Sequence, residues 1–77
     1  MNITDYSNRI KVERARYEFT QRDLAAALGV SEATVIKWEK DIRTLTIEKA
    51  IEISNIFGGV SLDYIVGLTD ERAKATR

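Results

Sequence analysis

The chain has no cysteine, no histidine and no proline, and only four glycines among its 77 residues. Without cysteine there is no disulfide framework to staple a small secreted scaffold. Without a thiolate or an imidazole there is no structural zinc site, no cysteine nucleophile and no Ser-His triad. No metal or other cofactor is therefore expected, and catalysis is not. Sparse glycine and absent proline, with 31% charged residues, argue against a collagen-like or disordered chain. No apolar run approaches the ~20 residues a membrane span needs, and residues 1–20 carry charges where a signal peptide would be apolar. Neither sign of charge is in excess, since 12 Lys and Arg balance 12 Asp and Glu. Nucleic-acid binders usually show a basic balance or a basic face, and a face can be basic while the total is zero. What remains is a small soluble intracellular domain. A chain this short buries only roughly 60% of its unfolded surface, so its apolar residues must be used efficiently.

Small polar residues stand just ahead of apolar-periodic segments, which is the pattern of helix N-caps. Residues 5–17 read as a first helix, with Tyr6, Ile10 and Tyr17 at helical spacing and Val12 and Ala15 beside them. Thr20 to Asp23 fits a capping box in its Asp form and opens a second helix with Leu24, Ala25 and Leu28 inward. Gly29 ends it. Ser31 caps a third helix over about 32–40, with Val35 and Trp38 inward, and residues 41–45 read as a polar connector. Thr46 caps a fourth helix with Ile47, Ala50, Ile51, Ser54 and Phe57 three or four apart, broken by Gly58-Gly59. Ser61 caps a short fifth holding Leu62, Ile65 and Val66, and Gly67 stops it. No window alternates with period two, so strands are not expected. The spacing predicts an all-α, five-helix domain over residues 1–68 and a polar C-terminal tail over 69–77.

The informative unit runs from Thr20 to Glu39. A short helix ends at Gly29, turns within a few residues, and gives way to a capped second helix. Small Ala25 sits where two steeply crossing helices come close. This is a helix-turn-helix unit, which holds its second helix out from the body at a size that fits a DNA major groove. On that helix Glu32, Ala33, Ile36, Lys37 and Lys40 form one face opposite Val35 and Trp38.

The sequence resembles the Cro and lambda-repressor type of helix-turn-helix, often called the XRE family, over about residues 6–68. The likeness is carried by Arg9-Ile10-Lys11 with Arg14, Phe19-Thr20-Gln21, Asp23-Leu24-Ala25, Leu28-Gly29-Val30-Ser31, Thr34-Val35, Trp38-Glu39 and the run Val60 to Gly67. The resemblance implies a sequence-specific, double-stranded-DNA-binding transcriptional regulator of prokaryotic or phage type. It is expected to act as a repressor, as a homodimer on a palindromic site, in the cytoplasm on the nucleoid. It implies that Glu32, Ala33, Ile36 and Lys37 read bases. Lys37 suits guanine O6 or N7, Ala33 and Ile36 suit thymine methyl groups, and Glu32 suits cytosine N4. Gln21 and Ser31 are expected at phosphates, beside helix N-termini, together with Lys40, Arg43 and Thr44. Arg14 and Glu39 match a family ion pair, and Tyr64, Ile65 and Leu68 match a region that often makes the dimer contact.

Some positions depart from the family pattern. Glu13 stands where a core leucine is common, so the first helix is expected to lean on Val12 and Tyr17 instead. Glu18 and Asp41 replace turn glycines, Leu45 replaces a proline, and Gly58-Gly59 adds a residue. Glu32 and Asp41 are carboxylates beside the expected phosphate path, where each needs a donor, and Glu32 also suits the first turn of a helix simply as a favourable charge. An alternative reading keeps the fold but makes it a protein-interaction module, such as an antitoxin or regulator-binding partner, meeting protein through Glu32 and Ile36.

Overall fold

A computed structural model describes residues 9–69 and 71–72. The described residues form five α-helices and one 3-10 turn: α1 (Arg9–Arg16), α2 (Gln21–Leu28), α3 (Glu32–Lys40), the turn Ile42–Thr44, α4 (Ile47–Ile56) and α5 (Leu62–Ile65). The fold is all-α. The expected helical start at residue 5, with Tyr6, lies outside the described residues.

Helices α2 to α5 each begin where a hydroxyl accepts a bond from an otherwise orphaned N–H. The side chains of Thr20, Ser31, Thr46 and Ser61 accept from the backbone of Asp23, Thr34, Lys49 and Tyr64. Each such cap contributes about 1 kcal/mol. At Thr20 the box is reciprocal, because Asp23 Oδ2 accepts from the Thr20 N–H at 3.0 Å. Those two Thr20 contacts, backbone first and then side chain, hold the Asp23 carboxyl below its ordinary pKa. The end of α2 closes as the sequence suggests, with Gly29 at φ 70° and the N–H groups of Gly29 and Val30 bonded to the carbonyls of Ala26 and Ala25. Glu18 takes the left-handed conformation of the glycine it replaces, with φ 61°.

The core gathers Ile10, Leu24, Val35, Ile53, Phe57 and Ile65, all without measurable exposure, with Trp38 and Tyr64 nearly as buried. Tyr17 lies half-exposed with its ring 5.3 Å from that of Phe57. Two packing expectations are corrected. Val12 is exposed and Glu13 is fully buried, because Glu13 and not Val12 shares a face with Ile10 and Tyr17 at ~100° per residue. On α4, Ile47 and Ile51 face outward, Ile47 at 70% exposure, and Ile53 takes the inward place. Ile51 lies about 100° round the helix from buried Ala50, outside the stripe through 50, 53, 54 and 57. Ser54 stays in the core by donating its hydroxyl to the Val60 carbonyl.

Residues 41–45 are more ordered than a connector, since Asp41 caps the 3-10 turn in an extended conformation, not a left-handed one. Residues 71 and 72 are docked as well. The Ser61 N–H donates to the Arg72 carbonyl at 2.7 Å.

After α4, Gly58 has φ 79°, and a β-carbon there would lie 2.8 Å from the Tyr17 hydroxyl. Gly58→Ala must hold a left-handed alanine and displace the tyrosine. Its melting temperature is expected to fall by roughly 5–10 °C, with Gly58→Ala/Tyr17→Phe recovering the steric part. An unchanged melt for Gly58→Ala would contradict this account.

Candidate nucleic-acid interface

Helices α2 and α3 pack through Ala25, Leu28 and Val35, all buried, with Val30 half-buried at the corner between them. The inner side of α3 is sealed by Val35, Trp38 and Glu39. On its outer side Glu32, Ala33, Lys37 and Lys40 are exposed and Ile36 is half-buried. The five residues singled out on α3 therefore share one surface, four of them exposed and Ile36 partly covered. Among the described residues, the side chains of Lys37 and Lys40 are held by no ion pair or hydrogen bond.

Both carboxylates near this surface have an arginine beside them, Asp41 in hydrogen-bond contact and Glu32 in a loose ion pair. Glu32 Oε1 lies 4.0 Å from Arg22 Nε. Asp41 Oδ1 accepts from the backbone and Nε of Arg43 at 3.1 and 2.9 Å, and Asp41 Oδ2 accepts from Nη2 at 3.0 Å. The Arg43 guanidinium, and then its backbone N–H, hold the Asp41 carboxyl below its usual pKa. Arg43 is itself 86% exposed, so the pair sits in water beyond the end of α3. The Thr44 hydroxyl donates to the Asp41 carbonyl at 2.8 Å, and Ser31 is occupied in its cap with Thr34.

Beneath this surface Arg14 ties α1 to α3. Its Nε and Nη2 donate to the two oxygens of Glu39 at 2.7 and 3.3 Å, and its Nη1 donates to the Phe19 carbonyl at 3.0 Å. Gln21 Nε2 donates to Glu39 Oε1 at 3.0 Å. One N–H of the Gln21 amide is thus held by Glu39, and the amide has a second N–H to offer at the corner where α2 begins. Arg22 was not among the sequence candidates. The signal was available, because a cation in the first turn opposes the helix dipole and calls for an acidic neighbour, which Glu32 supplies.

Two members of the expected dimer contact are corrected. Tyr64 and Ile65 are buried inside the monomer, Tyr64 with its hydroxyl donated to Glu13 at 2.8 Å. A helix as short as α5 turns both residues into the core, and only Leu68, at 77% exposure, remains at the surface.

A family model described as helix-turn-helix matches residues 10–65. The chain belongs to this family, in its Cro and lambda-repressor (XRE) type. It is 38% identical over 64 residues to an uncharacterized HTH-type transcriptional regulator, MJ0272, of Methanocaldococcus jannaschii, a match covering 83% of this chain and 97% of that protein. It is 27% identical over 66 residues to an uncharacterized HTH-type transcriptional regulator, YobD, of Bacillus subtilis, covering 86% of this chain and 58% of that protein. No solved structure matches the chain significantly. The helix-turn-helix domain is thus that of a DNA-binding transcriptional regulator family, which is typically non-enzymatic. Among the described residues no helix is long and apolar enough to cross a membrane.

Proposed function

We propose that this protein is a sequence-specific double-stranded-DNA-binding repressor that inserts α3 into the major groove as a homodimer on a palindromic site in the cytoplasm. One observation carries the reading: α3 is sealed on its inner side and largely exposed on its outer side, where two lysines have no ion pair or hydrogen bond among the described residues. Lys37 reads guanine, Ala33 and Ile36 meet thymine methyl groups, and Glu32 accepts from cytosine. Lys40, Arg43 and Thr44 lie at the far end of the helix for phosphates. The N-termini of α2 and α3, begun by Gln21 and Ser31, hold phosphates through their N–H groups. Arg22 joins the phosphate contacts when Glu32 turns to a base. Exposed Leu68 is the remaining candidate for a contact between two copies, which would set half-sites ~34 Å apart. Repression asks nothing more of the domain than occupancy of the DNA.

Selection of bound duplexes from a random pool is expected to return an inverted repeat. On that duplex Lys37→Ala is expected to weaken binding by about 1–3 kcal/mol and to relax preference at one base position per half-site. Lys40→Ala is expected to weaken all sequences alike and to lower the slope of log affinity against log salt by about one unit per monomer. If neither substitution changes binding to any duplex, α3 is not the reading element.

A further inference from the structure

Glu13 is fully buried, inside the stretch that the family model matches. Arg72 lies outside that stretch, on the segment beyond α5. Its Nε and Nη2 donate to the two oxygens of Glu13 at 2.8 and 2.7 Å, a bidentate fork across 59 residues of chain. Two further groups face the same carboxylate. The Tyr64 hydroxyl on α5 donates to Oε2 at 2.8 Å, and Arg16, one turn along α1, donates to it at 3.3 Å. Arg9 lies over the Tyr64 ring, 4.8 Å from its centroid. Burial alone would raise the pKa of Glu13, but the bonds from Arg72 and Tyr64 and the charges of Arg72 and Arg16 hold it below the ordinary value. The backbone is fixed at the same place, with the Ser61 N–H and hydroxyl donating to the carbonyls of Arg72 and Glu71 at 2.7 and 3.3 Å.

We propose that residues 71–72 form a clasp that completes the domain, with Arg72 supplying the counter-charge that buried Glu13 requires, so that α1 stays seated only while the segment after α5 is docked. The two partners are not equivalent. Arg72 is 36% exposed and can return to water, whereas Glu13 has no exposure at all. Undocking the segment therefore strands a carboxylate in the core, which is far costlier than stranding the arginine. The residue after Glu13 is Arg14, which holds Glu39 at the end of α3. The clasp and the outward helix are thus anchored to neighbouring residues of α1, and a partner that captured the segment would loosen that helix.

The test is a set of thermal melts on the full chain, and it does not depend on DNA. Arg72→Ala is expected to lower the melting temperature by about 10 °C or more. Removal of residues 69–77 is expected to reproduce that loss. In a Glu13→Leu background, where no buried charge needs a partner, both changes are expected to cost roughly 2 °C or less. Should Glu13→Leu fail to fold, Glu13→Gln removes the charge at nearly constant volume, and most of the Arg72 effect is expected to vanish there too. An Arg72→Ala loss of the same size with and without the Glu13 charge overturns the proposal, and so does no loss at all.

Discussion

Replacing Trp38 by alanine is expected to destabilise the domain by about 3–5 kcal/mol, the range for emptying a large aromatic site in a packed core. For a domain of this size that is a melting temperature lower by roughly 15–30 °C. Trp38 is 4% exposed and lies in the cluster with Ile10, Leu24, Val35 and Phe57. It anchors α3 from within, so its loss removes the support on which the outer face of that helix depends. Trp38→Phe keeps much of the apolar volume and is expected to retain most of the stability and the DNA affinity. A second check uses the parent chain, whose single tryptophan reports on its own surroundings. A buried indole should emit at short wavelength and should not shift when duplex or single-stranded DNA is added. If Trp38→Ala melts within about 1 kcal/mol of the parent but loses DNA, the side chain acts as a stacking platform and the core assignment is wrong.

The features legible in the sequence are those whose causes lie within one turn of the residue concerned. Thr20 with Asp23, Ser31, Thr46 and Ser61 mark helix starts because a cap needs only the N–H three residues on. Gly29 marks a helix end because left-handed backbone is cheap there. Val35 and Trp38 against Lys37 and Lys40 follow from helical spacing alone. The outcome on α4 was ambiguous because isoleucines at 47, 51, 53 and 56 surround much of the helix, so spacing alone does not choose the buried stripe. Glu13 was misread for a different reason. A buried carboxylate is intelligible only through its partners, and Tyr64 and Arg72 stand 51 and 59 residues away. The bond from the Gln21 amide to Glu39 is likewise non-local, spanning 18 residues. For Tyr64 and Ile65 the dimer expectation comes from the resemblance alone, since a four-residue helix carries too short a pattern to show which side is inward.

Arg14→Ala is expected to cost about 3–5 kcal/mol, the range for removing one partner of a buried ion pair. The Glu39 side chain is 7% exposed and would keep only the Gln21 amide. The Phe19 carbonyl would also lose the Arg14 donor. Urea titration followed by circular dichroism reads this loss directly. The partner experiment replaces both charges with apolar groups, as in Arg14→Met/Glu39→Met. Buried ion pairs exchanged for apolar residues of similar size are often neutral or better, so the double variant is expected to recover most of the stability. If it remains as unstable as Arg14→Ala, the charge left on Glu39 is not the cause. DNA affinity is expected to part company with stability in this variant. Glu39 also orients Gln21 at the start of α2, the corner proposed to hold a phosphate, and a methionine offers that amide no acceptor. A stable double variant that still binds its duplex several-fold more weakly would separate the two tasks of Glu39. Full recovery of both would leave it with the structural task alone.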